Sequence, residues 1–294
     1  MKQRMSGSPN VQVHSIINIP NSYIYEDLTW DSLIWIKNID PESFQFSGFQ
    51  NITDKSLKHF SNQQNRIIGD DNIILSMSQW LAKFINENTN RKAIYVGGGI
   101  NTTISRTPIQ SRDEQTFLFV GRDFQRKGGD LVVAAFEKVR ELYPEARLKI
   151  AGPRLEKLPI NIKDIEGVDF LGDVSTEEIG KLMSTATFFV MPSRFEAYGL
   201  VFLEAMANGM PIIARDKFEM PYFVSQGSGI LMRSESSQKM EIENLFNCMI
   251  GVLENRTEYL EDAFEAAPKI VNEYSWESVA DRTISAIKST KKDS

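Results

Sequence analysis

Thr187-Phe188-Phe189-Val190-Met191 is an apolar run of strand length that stops at Pro192-Ser193. A short loop bearing Glu196 follows, and Gly199 then opens Leu200 to Asn208, a segment of good helix formers with apolar residues at helical spacing. Strand, loop and helix in that order place glycine-freed backbone N–H groups at a helix N-terminus, which is a ready anion site. Two carboxylates flank it, Glu196 in the loop and Glu204 inside the helix. One can face whatever binds at the loop, while the other can accept hydrogen bonds from hydroxyls beside it. The arrangement suits a phosphate-linked sugar or nucleotide.

The same order recurs upstream and downstream. Phe117-Leu118-Phe119-Val120 reads as a buried strand ending in Gly121-Arg122, and Gln125-Arg126-Lys127-Gly128-Gly129 leads into a helix over Asp130 to Glu141. Leu131, Ala134, Ala135, Val139 and Leu142 form the apolar face of that helix. Further strands are expected at Arg147–Pro153, Val168–Gly172, Pro211–Ala214 and Gly229–Met232, with a capping box at Ser175–Glu178 opening a helix through Met183. Repeated strand–helix alternation implies a parallel, doubly wound sheet that binds ligands at the carboxyl ends of its strands. Arg122 and Lys127 then lie near a helix N-terminus, where two fixed cations suit an anionic ligand.

Residues 11–108 are less regular. Strands are expected at Val13–Ile19, Ser22–Tyr25, Asn72–Ser76 and Lys92–Val96, and a helix at Ser78–Asn88. The polar stretch Asn101 to Gln115 is the expected boundary. The chain therefore divides into 1–110, a complete nucleotide-binding domain at 111–273, and a terminal helical segment at 274–294.

Composition narrows the function classes. The chain has 294 residues, and 33 basic against 39 acidic side chains give a net charge of −6. That argues against nucleic-acid binding, which needs a concentrated basic face, and leaves room for a local patch that meets a membrane surface. Cys248 is the single cysteine, so no intramolecular disulfide forms, and in its apolar setting it reads as core. Two histidines and one cysteine at these spacings suggest no zinc site. No G-x-G-x-x-G opens a helix, which argues against a hydride-transfer enzyme. The N-terminus lacks a long apolar run, and the expected compartment is the cytoplasm, with room for contact at the inner membrane face.

Glu196 to Glu204, continued by Ala205-Met206-Ala207-Asn208-Gly209-Met210-Pro211-Ile212-Ile213, resembles the E-x7-E block of retaining, nucleotide-sugar-dependent glycosyltransferases of family 4. Val120-Gly121-Arg122 and Lys127-Gly128 match that family upstream. The resemblance implies an α/β protein of GT-B type, with a complete C-terminal Rossmann-like donor domain. It further implies a shortened N-terminal Rossmann-like domain at 1–110, either natural or because the sequence begins inside a longer product, and a last helix at 274–294 that crosses back to that first domain. It carries to Glu196 a role near the transferred sugar, to Glu204 the ribose hydroxyls, and to Arg122 and Lys127 the diphosphate. Tyr198, Gly199 and Leu200 belong to the same donor-binding set. Tyr25–Trp30 is similar to a segment of the acceptor domain, which makes Glu26 and Asp27 acceptor-side candidates. His14 and His59 do not fall where many relatives carry a histidine, and Tyr222 stands where a glutamate is common. No metal or cofactor is expected, since this fold uses cations and backbone N–H groups where other glycosyltransferases use a metal. The implied partners are a nucleotide-sugar, a hydroxyl acceptor such as a glycan or lipid-linked glycan, and an oligomer partner covering the first domain. A non-catalytic nucleotide-sugar-binding subunit is the alternative.

Overall fold

A sheet buried on both faces reads as continuous apolar runs, and Phe117–Val120 and Phe188–Met191 are buried at every position. The computed structural model describes residues 10–105, 107–154, 156, 158 and 165–291. Its contacts divide the chain into two units, one formed by the chain up to Gly99 with Trp276 onward, the other by Ile100–Ser275.

In the second unit six parallel strands form one sheet. They are β5 (Thr116–Val120), β6 (Arg147–Ala151), β7 (Val168–Gly172), β8 (Phe188–Met191), β9 (Ile212–Arg215) and β10 (Gly229–Met232). Their order is β10-β9-β8-β5-β6-β7, so the winding reverses between β5 and β8. A crevice opens at such a reversal, outside the carboxyl ends of the strands. Helix α5 (Gly129–Leu142) follows β5, and α7 (Leu200–Ala207) follows β8, so both N-termini are delivered to that edge. Helix α6 (Thr176–Thr185) carries the expected capping box, Ser175 with Glu178. Helices α8 (Met220–Gln226), α9 (Gln238–Glu254) and α10 (Arg256–Glu273) complete the unit. Leu131, Ala135 and Val139 are buried on α5, but Leu142, at its last position, is 61% exposed. The apolar face ends one turn earlier than its sequence suggests.

The first unit holds a parallel sheet in the order β1-β2-β3-β4, made of β1 (Asn10–Val13), β2 (Ser22–Glu26), β3 (Ile73–Ser76) and β4 (Ala93–Tyr95). Successive residues point to opposite faces. Ile24 and Ile74 pack with Ile68, Leu81, Phe84 and Ile85, while Tyr23 and Leu75 pack with Val96, Ala286 and Ile287. Helix α4 (Gln79–Asn88) supplies the first face and α11 (Trp276–Lys291) the second. The strand expected over Val13–Ile19 is not formed: β1 stops at Val13, and His14 turns the chain with φ 59°. Ile16 and Ile17 are 69% and 56% exposed. Of the polar Met1–Asn10 stretch only Asn10 is described. Helices α1 (Trp30–Ile39), α2 (Pro41–Gln45) and α3 (Asp54–Ile68) are additions to the sequence reading.

Candidate functional site

Glycine opens both helices at the crevice. Gly128 caps α5 at φ 78° and Gly199 caps α7 at φ 100°, a backbone region costly for other residues. A Cβ on Gly128 would stand 2.6 Å from the Pro192 carbonyl oxygen, so the β5–α5 and β8–α7 loops touch through it. Between them Lys127 Nζ is ion-paired with Glu196 Oε2, their side chains 12% and 9% exposed. Ser193 Oγ lies 3.4 Å from the same carboxylate oxygen. A Cβ at Gly199 would approach Glu196 Cγ to 3.2 Å, which brings the cap of α7 against this pair.

The other predicted residues distribute around it. Glu204 sits in the second turn of α7, half-buried, and among the described residues its carboxylate accepts no hydrogen bond. Burial pushes its carboxyl up to about 7. Leu200 is the first residue of α7 and half-buried, so its backbone N–H is one of the helix's unsatisfied donors. Tyr198 turns inward, its ring 5.5 Å from that of Phe223, and its side chain belongs to the core. Arg122 does not join the Lys127–Glu196 pair. Its side chain is 89% exposed, with Nε 3.8 Å from Asp173, which also accepts from Arg154 at 3.1 Å. Arg122, Gly152, Arg154 and Asp173 line a cavity of about 410 Å³. Cys248 is half-buried, and burial pushes its thiol up to about 11, far from a reactive thiolate.

Glu26 and Asp27 lie in the first unit. Glu26 is buried, accepts the Ser15 backbone N–H at 2.8 Å, and meets His14 Nδ1 at 3.1 Å. Burial raises its carboxyl above the usual range, and the His14 and Ser15 contacts partly offset that. His14 therefore reaches the acceptor-side candidate from the turn just after β1, a contact that the alignment of motifs does not give. Ligating atoms of His14, Glu26 and Asp27 lie within 4.8 Å of one another, close enough to share a cation.

Several supporting residues escaped the motif reading. Arg194 is buried and binds Asp130 through two parallel bonds of 2.6 and 2.7 Å. Arg126 donates to the Phe195 carbonyl at 3.1 Å. Arg215 and Glu241 form an ion pair whose side chains are 2% and 3% exposed, and Arg215 also donates to the Pro192 carbonyl at 3.2 Å. The available signal was charge inside an apolar frame: an arginine between the strand end and Glu196, and an arginine closing β9.

This is a doubly wound parallel α/β unit with a loop carboxylate and a helix carboxylate at its switch point. The family Glycosyl transferases group 1 matches residues 101–270, more than half of the chain, and the chain belongs to that family. An uncharacterized glycosyltransferase of Methanocaldococcus jannaschii is 24% identical over 69% of this chain and 56% of its own length. A GDP-mannose-dependent monoacylated phosphatidylinositol monomannoside mannosyltransferase of Corynebacterium glutamicum is 26% identical over 56% of this chain and 44% of its own. The chain spans about half the length of these curated relatives. Among solved structures, WaaG, a glycosyltransferase involved in lipopolysaccharide biosynthesis, aligns with a TM-score of 0.67 at 16% identity, over 95% of this chain and 78% of its own. Pneumococcal GtfA, an O-GlcNAc transferase solved with UDP and GlcNAc, aligns at 0.62 and 16% identity, over 79% of this chain and 47% of its own. These likenesses establish the GT-B fold with its Rossmann-like units. Among the described residues no helix is long and apolar enough to cross a membrane.

Proposed function

We propose that the protein is a glycosyltransferase that moves a sugar from a nucleotide-diphosphate sugar to a hydroxyl acceptor with retention of configuration. The observation that carries this reading is the Lys127–Glu196 pair at the glycine-capped start of α7, with the unpartnered Glu204 a turn further on. Lys127, Arg122 and the first N–H groups of α7 would neutralise the diphosphate as it leaves. Glu204 would accept hydrogen bonds from the ribose, and Glu196 would face the transferred sugar. The acceptor oxygen bonds to the anomeric carbon on the face from which the diphosphate departs. The sugar–phosphate bond breaks, and a diphosphate oxygen takes the acceptor's proton. Glu26 and Asp27 are the candidates for holding a glycan or lipid-linked acceptor.

A thermal-shift panel of UDP-, GDP- and ADP-sugars tests the donor half, because a ligand that binds the native state raises its stability. No stabilisation by any of them at millimolar concentration would remove the reading. Fixed cations and a helix N-terminus do the work of a metal here, so donor binding should survive EDTA, even if chelation strips a cation from His14, Glu26 and Asp27. Magnesium-reversible loss of donor binding, followed by calorimetry, would refute that.

A second reading, a nucleotide-sugar-binding subunit that needs a partner for the acceptor, draws on the edge strand β1, where Val11 and Val13 are 48% and 60% exposed. Transfer rate and oligomeric state measured on one sample separate the two. Rapid transfer by a monomer favours the self-sufficient enzyme, since holding the acceptor in attack geometry supplies much of the rate.

A further inference from the structure

Two loops carry the candidate donor residues, one after β5 with Lys127 and one after β8 with Glu196. An ion pair on a flexible lysine stem cannot by itself hold two loops in register, because the stem has many rotamers to lose. Arg194 ties the loops together at backbone level. Its side chain is 9% exposed, and its guanidinium donates a parallel pair of bonds to Asp130 and a third to the Gln125 carbonyl. Its own N–H donates to the Arg126 carbonyl at 2.9 Å, and Arg126 Nη1 returns a bond to the Phe195 carbonyl. Gln238 gives Asp130 a further bond at 3.2 Å. The residues just before Lys127 are thus laced to the residues just before Glu196.

We propose that Arg194 is a positioning residue that, locked on Asp130, delivers the Lys127 amine to Glu196 and, once donor is bound, to its diphosphate. The proposal rests on the donor-site reading of Lys127 and Glu196. Planar, forked pairing with a carboxylate is a property of arginine that lysine lacks, so Arg194→Lys keeps the charge and loses the register.

The test follows acetylation of Lys127 by an N-hydroxysuccinimide ester on the intact chain, peptide by peptide, by mass spectrometry. Lys127 is ion-paired and 12% exposed, so its labelling should be slow in the unaltered protein. Arg194→Lys and Asp130→Asn should each speed its labelling by about fivefold or more, with Lys138 and Lys149 unchanged as internal references. An equal rise at the reference lysines would mean general loosening, and an unchanged Lys127 would mean that the loops keep register without Arg194. Either result overturns the proposal. UDP, GDP or ADP should slow Lys127 labelling in the unaltered protein. If none does, the donor-site reading fails, while the comparison between Arg194→Lys and the unaltered chain still decides the role of Arg194.

Discussion

Glu204 combines half-burial with a carboxylate that has no hydrogen-bond partner among the described residues, and its pH behaviour follows. Burial raises its carboxyl from 4.5 to about 7 in the folded chain. Because the folded value lies above the unfolded one, its contribution to stability is fully present below about pH 4.5 and is lost as pH rises through about 7. Above that, the ionised carboxylate is a cost the native state carries. Glu204→Gln should therefore raise stability at pH 8 by about 1 kcal/mol, allowing for the water-exposed part of the group, and change little at pH 4. Urea denaturation at both values measures it. In the unaltered protein, nucleoside diphosphate affinity should fall as pH is lowered through about 7, since the protonated carboxyl is a poorer acceptor for ribose hydroxyls. Calorimetry at pH 6 and pH 8 checks this; affinity independent of pH in both chains would take the ribose role from Glu204. The motif around Glu204 was legible because it lies within one strand–loop–helix turn. The Arg194–Asp130 lock was not, because its partners are 64 positions apart and join only once the sheet is wound.

At the scale of elements, α7 is held at its entry by Gly199. An alanine there would take an unfavourable φ of 100° and place its Cβ 2.8 Å from the Phe202 ring. Gly199→Ala should cost about 1–2 kcal/mol in a denaturant titration. It should also weaken nucleotide binding, because the helix's first N–H groups and Glu196 move with the cap. A stability loss without any change in nucleotide affinity would separate the cap from the site. At the carboxyl end of β9, Arg215 and Glu241 are buried together, and removing one leaves the other's charge unpaired. Arg215→Met should destabilise by about 3 kcal/mol on the same titration. Strands β5, β8 and β9 were readable because burial on both faces gives them nearly unbroken apolar runs. Helix α3 was not, since it buries Leu57, Ser61, Gln64 and Ile68: the spacing is helical, but half of the stripe is polar. At β1 the apolar residues Ile16 and Ile17 mimicked a strand, while the left-handed turn at His14 had already ended it.

At the scale of the whole molecule, the first unit is built from both ends of the chain. Tyr23 donates to Ile287 and contacts Thr290, and Arg282 donates to the Val96 carbonyl, so α11 closes one face of the β1–β4 sheet. Deleting the chain after Ser275 exposes that face. The first unit should then melt early in calorimetry, while nucleotide binding by Ile100–Ser275 persists. Concurrent loss of binding would show that the units do not stand alone. The polar stretch and the final helix were visible in the sequence, and the family resemblance implied that this helix crosses back to the first domain; the strand residues it meets, Tyr23, Leu75 and Val96, carried no such signal. A ribosome reads this chain in one direction. The strands β1 to β4 emerge before the helix that covers one of their faces, with all of Ile100–Ser275 made in between. At ordinary elongation rates that interval is on the order of ten seconds or more, long compared with the folding of a domain. The β1–β4 sheet is therefore made well before its cover, and during the wait Tyr23, Leu75 and Val96 present a bare apolar face to whatever chaperone is at hand.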